Sequence, residues 1–216
     1  TEGWTKKKEL FINDNQIYGM GDSALSLDGK KIALIYNRKK SANNPESYLF
    51  IYELPSDKVL WKIKIKYYQS DLPKPVLCWL GNDRLAYSEP YGLIKILSAD
   101  TGTELCEIRD ICANISSLSW SPDAGLIYLG CENALFSVEP EKAETNSILA
   151  TKGASQKLFL VLEDKYLAVV LKNGFQIIGL TDPKVLFQQQ FEDEIQDADY
   201  IPSQGILALG LSSGQI

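Results

Sequence analysis

One spacing recurs along the sequence and constrains the fold more than any other feature. An apolar residue, a short turn-forming segment and a second apolar residue seven positions later occur five times. The first members of these pairs are Leu25, Cys78, Trp120, Leu160 and Tyr200, which are separated by 53, 42, 40 and 40 residues. The position after the second member is alanine in four of the five copies. Such a register indicates a repeat protein.

Each repeat contains up to four short apolar segments separated by turn residues. Segments such as Asp28-Gly29 and 122–125 join the first two, and Gly and Asp there tolerate positive φ. No stretch keeps a 3.6-residue apolar period, so we predict almost no helix. One four-stranded antiparallel sheet cannot bury both faces, whereas several sheets packed around an axis can. We therefore predict an all-β fold, a β-propeller of about five four-stranded antiparallel blades.

The repeat boundaries divide the chain into four whole blades and one split blade. The whole blades are residues 15–66, 67–109, 110–150 and 151–190. The split blade takes its first strands from 191–216, and the tail of its third strand and its fourth strand from 1–14. Two arrangements stay open: a small closed ring, in which residues 8–13 pair beside 206–211, or part of a larger propeller. Residues 37–47 lengthen the first repeat, and we predict a surface loop there.

Composition limits the classes of function. The chain contains no histidine, which excludes His-containing catalytic triads and the commonest general base and metal ligand. A net charge of -6 argues against a nucleic-acid partner, because such proteins usually carry a basic patch. No apolar run reaches the roughly 18 residues of a membrane span. We expect no cofactor, no metal site and no catalytic residues.

Four cysteines stand at positions 78, 106, 112 and 131, and no two of them form a C-x-x-C pair. We predict small buried thiols in a reducing compartment, with a Cys106–Cys112 bridge as the alternative. The corresponding location is the cytoplasm, with the nucleus and the periplasm left open.

The inner hairpins carry a resemblance to a known family. The segments Ser-Trp-Ser-Pro-Asp-Ala-Gly-Leu-Ile-Tyr (119–128) and Ser-Leu-Asp-Gly-Lys-Lys-Ile-Ala (26–33) resemble the inner hairpin of WD-repeat β-propellers. The Gly-His and Trp-Asp dipeptides of that family are missing, so its buried Asp-His network cannot form. The resemblance implies a scaffold that binds other proteins, including as a subunit of a larger complex. Residues 99–105 also look like quinoprotein repeats, and 28–33 like periplasmic TolB-like propellers.

In a propeller, the loops between the second and third strands and between consecutive blades emerge on one face, where binding residues are usually found. Large exposed tyrosines are favoured at protein interfaces. Three groups on these loops are therefore candidate contacts for a partner protein. They are a basic tip of Arg38, Lys39 and Lys40, a tyrosine group of Tyr67, Tyr68 and Tyr91, and an acidic ridge of Glu192, Asp193 and Glu194.

Each group also has a purely structural interpretation. The charged groups are then solvated loops, and the tyrosines pack at the blade rim. The basic tip otherwise suits an acidic partner segment and the acidic ridge a basic peptide.

An enzyme is the alternative to a scaffold. A propeller glycosidase needs two carboxylates facing each other across the axial pocket. Asp22, Asp197 and Asp199 lie near the starts of inner strands and are the candidates. A sugar-binding periplasmic propeller is the related option. Short loops and the lack of recognisable sugar-stacking aromatics favour a protein that is not an enzyme. We predict a non-catalytic scaffold that binds proteins or peptides through one face.

Overall fold

The protein is a β-propeller. The computed structural model describes residues 17–39, 45–66, 74–151 and 153–215, and no helix occurs within these ranges. Blade 1 consists of β1 (Ile17–Leu25), β2 (Lys31–Lys39), β3 (Pro45–Glu53) and β4 (Lys58–Ile65). Blade 2 consists of β5 (Leu77–Leu80), β6 (Arg84–Glu89), β7 (Leu93–Ser98) and β8 (Glu104–Ile108).

The later blades repeat this order. Blade 3 consists of β9 (Ser117–Ser121), β10 (Leu126–Gly130), β11 (Ala134–Glu139) and β12 (Glu144–Ala150). Blade 4 consists of β13 (Ser155–Val161), β14 (Tyr166–Leu171), β15 (Gly174–Gly179) and β16 (Lys184–Gln190). Blade 5 is represented by β17 (Ile195–Ile201) and β18 (Ile206–Leu211). All neighbouring strands pair antiparallel in chain order. The predicted closure through residues 8–13 lies outside the described residues.

The hydrophobic core consists of slabs between successive blades. Side chains such as Ile35 and Leu49 of blade 1 pack on Leu85 of blade 2. The next slabs join blades 2 and 3 and then blades 3 and 4, and Val170 packs on Ile195 of blade 5. Among the described residues, the sheets of blades 2, 3 and 4 are therefore covered on both faces by neighbouring blades, as the repeat argument predicts.

The repeated pair of positions in each second strand explains this packing. Adjacent residues of a strand point to opposite faces of the sheet. Leu85 of β6 therefore faces blade 1, and Ala86 faces blade 3. In blade 3, Ile127 faces blade 2 and Tyr128 faces blade 4. The alanine that recurs in the sequence is thus the residue directed to the following blade.

Polar contacts also join the blades. The Trp79 indole N–H of blade 2 donates to the Ala24 carbonyl of blade 1 at 2.9 Å. The Trp61 indole N–H of blade 1 donates to the Ala99 carbonyl of blade 2 at 2.7 Å. These two tryptophans therefore link blades 1 and 2.

The connections define two ends of the propeller. We call the end with the turns between first and second and between third and fourth strands the turn face. The opposite end, with the connections between second and third strands and between blades, is the loop face. Within the described ranges, no helix has the length and apolar character needed to cross a membrane.

Two sequence predictions need correction. Residues 37–47 are not a loop throughout, because β2 continues to Lys39 and β3 begins at Pro45, with Asn37 paired to Ser47 and Arg38 to Glu46. The prediction of free thiols is also wrong for Cys112 and Cys131, and so is the alternative Cys106–Cys112 bridge. Cys112 and Cys131 form a disulfide, while Cys78 and Cys106 are free thiols.

Candidate functional site

Tyr91 is the most exposed aromatic side chain of the described loop face. Pro90, Tyr91 and Gly92 connect the paired residues Glu89 and Leu93 at the tip of the β6–β7 hairpin. Tyr91 has a φ of 66°, and 77% of its surface is exposed. A left-handed conformation costs a residue with a side chain roughly 1–2 kcal/mol. The tip therefore holds an exposed ring on a strained backbone, a combination that points to function.

Gly92 fixes this tip against the neighbouring loop. Its φ is +70°, and a Cβ at this position would lie 1.9 Å from the carbonyl oxygen of Cys112. The Ile111 amide also donates to the Gly92 carbonyl, at 3.4 Å. The tip thus rests directly on the backbone of the loop between β8 and β9.

That loop is itself anchored. The Cys112–Cys131 disulfide ties it to the end of β10, with 6.5 Å between the two Cα atoms. Ile111 and Ile115 of the same loop are buried between blades 2 and 3. The position of Tyr91 is therefore set by packing and a covalent bond rather than by the hairpin alone.

A buried carboxylate lies at the base of the tip. Glu89 is only 5% exposed, and its Oε1 accepts a hydrogen bond from the Tyr87 hydroxyl at 3.2 Å. Lys66 Nζ lies 3.4 Å from Oε2. Burial, and next the charge of Glu89, raise the pKa of Tyr87, which therefore stays a neutral donor. An ion pair in this environment holds the hairpin end in one arrangement.

The predicted basic tip is only partly described. Arg38 lies in β2 opposite Glu46 of β3. Glu46 is buried and accepts hydrogen bonds from the Tyr48 hydroxyl at 2.6 Å and from Lys64 Nζ at 2.7 Å. Lys39 ends β2, and Lys40 lies outside the described residues. Arg38 therefore belongs to a strand pair rather than to a free loop.

The acidic ridge lies on the connection between blades 4 and 5. Glu192 is exposed, and Glu194 forms an ion pair of 2.6 Å with Lys172. The Glu194 carbonyl accepts a hydrogen bond from the Ser212 amide at 2.8 Å, which fixes the backbone here. Asp193, between them, is half-buried. The ridge and Tyr91 share the loop face but stand on different blades, while Tyr67 and Tyr68 lie outside the described residues.

An axial cavity of about 250 Å³ opens among the inner strands of blades 1 to 4. Its polar lining includes Asp22, Ser117 and Lys157. The Asp22 carboxylate accepts hydrogen bonds from the Leu77 amide and from its own neighbour Ser23, each at 2.8 Å. Burial raises the pKa of Asp22 in spite of these bonds.

The other two candidate carboxylates do not join Asp22 in this cavity. Asp197 forms an ion pair with Lys157, which holds its pKa below the usual value, and its side chain is largely exposed. Asp199 is exposed on β17. Asp22 is the one carboxylate among the described residues that line the cavity. Within the described ranges, no group of three or more Cys, Asp or Glu side chains is placed to hold a metal ion.

The raised pKa of Asp22 makes a pH dependence of stability testable. The native state binds this proton more tightly than the unfolded chain, so the stabilising contribution is present below pH 3.8 and is lost as the pH rises through the raised native pKa. We expect the unfolding free energy of the wild type, relative to Asp22→Asn, to fall over that range and to stay level above it. Urea titrations at several acidic pH values measure it. Asp199→Asn, an exposed carboxylate, is the control, and an equal pH profile for both variants would contradict the assignment.

Comparisons with known proteins identify the fold and no family. No protein-family profile matches the sequence, and no curated protein matches it. A solved structure of Kuenenia stuttgartiensis hydrazine synthase is similar with a TM-score of 0.73 and 15% identity, over 97% of this chain and 59% of that chain. A chain of a mitotic checkpoint complex is similar with a TM-score of 0.65 and 12% identity, over 85% of this chain and 56% of that chain.

The chain thus spans less than two thirds of the length of either structure. At these identities the similarity concerns the fold alone. In all, 1119 chains of solved structures are similar, and one fold supports many functions, so the fold does not select one.

The sequence places Tyr91 in a loop, and the structure shows it exposed at a hairpin tip, but the sequence does not predict the contacts that support this tip. The burial of Glu89 has no signal in the sequence, because a glutamate at the end of a strand is usually exposed. The Cys112–Cys131 pair has a weak signal: both residues flank strands predicted to be neighbours within one blade. Cys78 is a free thiol, as predicted, and burial raises its pKa to about 12.

Proposed function

We propose that this protein is a non-catalytic, WD-repeat-like propeller that binds a partner protein or peptide through the loop face. Tyr91 is the anchor residue. Its ring offers a large rigid contact area with a hydroxyl at the tip, and such residues contribute most to binding at protein interfaces. The two charged groups, Arg38 to Lys40 and Glu192 to Glu194, are proposed as flanking contacts, together with Tyr67 and Tyr68.

One observation carries this proposal: the exposed Tyr91 is held rigidly. Gly92 packs on the Cys112 backbone and the disulfide holds that loop, so the ring is presented on a fixed support. A preorganised contact loses less conformational entropy on binding than a mobile one. Stability alone does not explain the arrangement, because a strained backbone and an exposed ring both act against it.

We propose no catalytic role, and the chemistry of the described residues supports this. The chain has no histidine, and the Cys78 thiol has a pKa of about 12. A glycosidase needs two carboxylates that face each other across the axial cavity. Among the described residues that line this cavity, Asp22 supplies the one carboxylate. Of the two similar structures, one is named as an enzyme and the other as a protein complex. The choice between a catalytic and a binding function therefore rests on the candidate site.

We further propose that the protein works in an oxidising compartment. Disulfides persist there and are rare in the cytosol, so the Cys112–Cys131 bond favours the periplasm or the outside of the cell over the cytoplasm.

Site-specific photocrosslinking tests the binding proposal. A benzoylphenylalanine at position 91 should capture one discrete partner from an extract of the source organism. The same group at Ser203, exposed on the turn face, is the control and should not capture it. Tyr91→Ser should lower the affinity for the captured partner by about tenfold, whereas Tyr91→Phe should keep most of it. Equal capture from positions 91 and 203, or an unchanged affinity of Tyr91→Ser, would overturn the proposal.

A further inference from the structure

We propose that the turn face is a second binding surface, and that it docks a cationic amphipathic segment of a partner protein. Such a segment presents apolar side chains together with lysines or arginines, as a basic amphipathic helix does. The proposal rests on two independent properties of the turn face, its exposed apolar side chains and its charge. It does not depend on Tyr91 or on any residue of the loop face.

The exposed apolar side chains are concentrated at this end of the propeller. Eleven large hydrophobic or tyrosine side chains are exposed in the described part of the chain, and nine of them lie in the turns of the turn face or within three residues of one. The other two are Tyr91 and Phe187. The nine are Leu25, Leu27, Val59, Leu105, Leu162, Val185, Leu186, Ile201 and Ile206.

Two leucines lie at the tips of inner hairpins and are too exposed to contribute to the core. Leu27 is 79% exposed in the β1–β2 turn, and Leu162 is 60% exposed in the β13–β14 turn. Leu162 and the two residues after it have φ values of 53°, 58° and 58°. A glycine would relieve this backbone strain, and a polar residue would suit the solvent better. An exposed leucine in this conformation is therefore better explained by an external contact.

The charge of the turn face is strongly one-sided. Its turns contain nine aspartates and glutamates and three lysines, a net charge of -6. The residues that flank these turns add four cationic and four acidic side chains, so the net charge does not change. The described residues of the loop-face connections carry four cationic and five acidic side chains. The turns are residues 26–30, 54–57, 81–83, 99–103, 122–125, 140–143, 162–165, 180–183 and 202–205.

The turns are linked into a continuous surface across blades 1 to 4. The Asp28 amide of blade 1 donates to the Asn82 side-chain oxygen of blade 2, at 3.0 Å. Arg84 of blade 2 pairs with Glu141 of blade 3 at 2.7 Å. The Ser121 hydroxyl of blade 3 donates to the Asp164 carboxylate of blade 4 at 2.9 Å. A partner therefore meets a rigid surface rather than separate mobile turns.

The charge decides which occupant fits. A second copy of the chain would bring one surface of charge -6 against another, and like charges disfavour this contact. Anionic membrane surfaces are repelled for the same reason. A cationic segment is attracted by the acidic turns, and its apolar side chains cover Leu27 or Leu162.

The test uses a labelled peptide of leucine and lysine, about 18 residues long, that forms an amphipathic helix. Fluorescence anisotropy with the full chain should show saturable binding that weakens as salt rises from about 0.05 M to about 0.3 M. A lysine and serine peptide of equal charge and a leucine and glutamate peptide should each bind at least about tenfold more weakly. Equal binding of either control peptide would overturn the proposal.

Paired variants locate the peptide on the molecule. Leu27→Ser with Leu162→Ser should weaken binding about tenfold, and Asp83→Lys with Asp123→Lys should weaken it and flatten the salt dependence. Glu132→Lys with Asp110→Lys makes the same change of charge on exposed residues of the loop face that belong to no proposed contact, and it should have little effect. Thermal melting confirms that each variant folds. A larger loss from the loop-face pair than from the turn-face pairs would overturn the proposal.

Two measurements on the protein without peptide test the alternative occupants, a second copy of the chain and a membrane surface. Sedimentation should show one monomeric species at all concentrations, and vesicles of anionic phospholipid should not bind the chain. A dimer that Leu162→Ser disperses, or vesicle binding lost in the same variant, would overturn the proposal in favour of self-association or a membrane surface.

Discussion

Replacing Gly92 by alanine is expected to reduce the unfolding free energy by about 3 kcal/mol. About 1 kcal/mol of this comes from placing a side chain at a φ of +70°. The remainder comes from the new Cβ, which would lie 1.9 Å from the Cys112 carbonyl oxygen. A backbone atom cannot rotate away as a side chain can, so the hairpin tip and the β8–β9 loop must separate. Urea unfolding of the wild type and the variant measures the loss.

The chain offers a matched control for this prediction. Gly125 has a φ of +66°, and a Cβ there would meet nothing within 4 Å. Gly125→Ala therefore isolates the conformational cost, about 1 kcal/mol, from the steric one. A loss in Gly92→Ala no larger than in Gly125→Ala would show that the tip does not rest on the loop. In that case the rigid support proposed for Tyr91 would be absent.

The fold was accessible from the sequence because a local rule repeats. The residue pair at positions 85 and 86 shows why. Leu85 packs in the core between blades 1 and 2, and the small Ala86 packs in the core between blades 2 and 3. The apolar residue recurs in the second strand of all five repeats and the alanine in four of them, so the pattern is visible without any knowledge of long-range contacts.

Features that depend on contacts between distant segments were not accessible in this way. The bond between Cys112 and Cys131 depends on how a loop between blades folds back over β10. Four cysteines allow several pairings, and spacing does not choose between them. The extension of β2 and β3 was missed because residues 37–47 are polar. The strands continue there because Glu46 is buried with its hydrogen bonds satisfied.

The features of the candidate sites also differ in whether local sequence predicts them. The exposure of Tyr91 follows from its position at a hairpin tip, which the sequence predicts. The concentration of charge on the turn face can also be computed from the sequence, but only after every turn has been assigned to one end of the sheets. The left-handed conformation of Leu162 has no sequence signal, since leucine is a poor choice for it.

Removal of the disulfide is expected to have an effect as large as that of Gly92→Ala. The bonded cysteines are 19 residues apart, and closing a loop of this size stabilises a protein by about 3 kcal/mol, chiefly by restricting the unfolded chain. Cys112→Ser combined with Cys131→Ser should lower the unfolding free energy by that amount. Since native domains are stable by only roughly 5–15 kcal/mol, urea unfolding resolves the loss easily.

A reducing agent provides the decisive comparison, because it acts on the bond without changing the sequence. Dithiothreitol should destabilise the wild type by about the same amount and leave the double variant unchanged. Cys106→Ser, which alters a free thiol, should respond to the reductant as the wild type does. Because Ile111 and Ile115 stay buried, the reduced protein should remain folded, with crosslinking from position 91 weakened rather than abolished. A wild type that is indifferent to the reductant would mean that the two thiols are not joined, and the case for an oxidising compartment would fall with the bond.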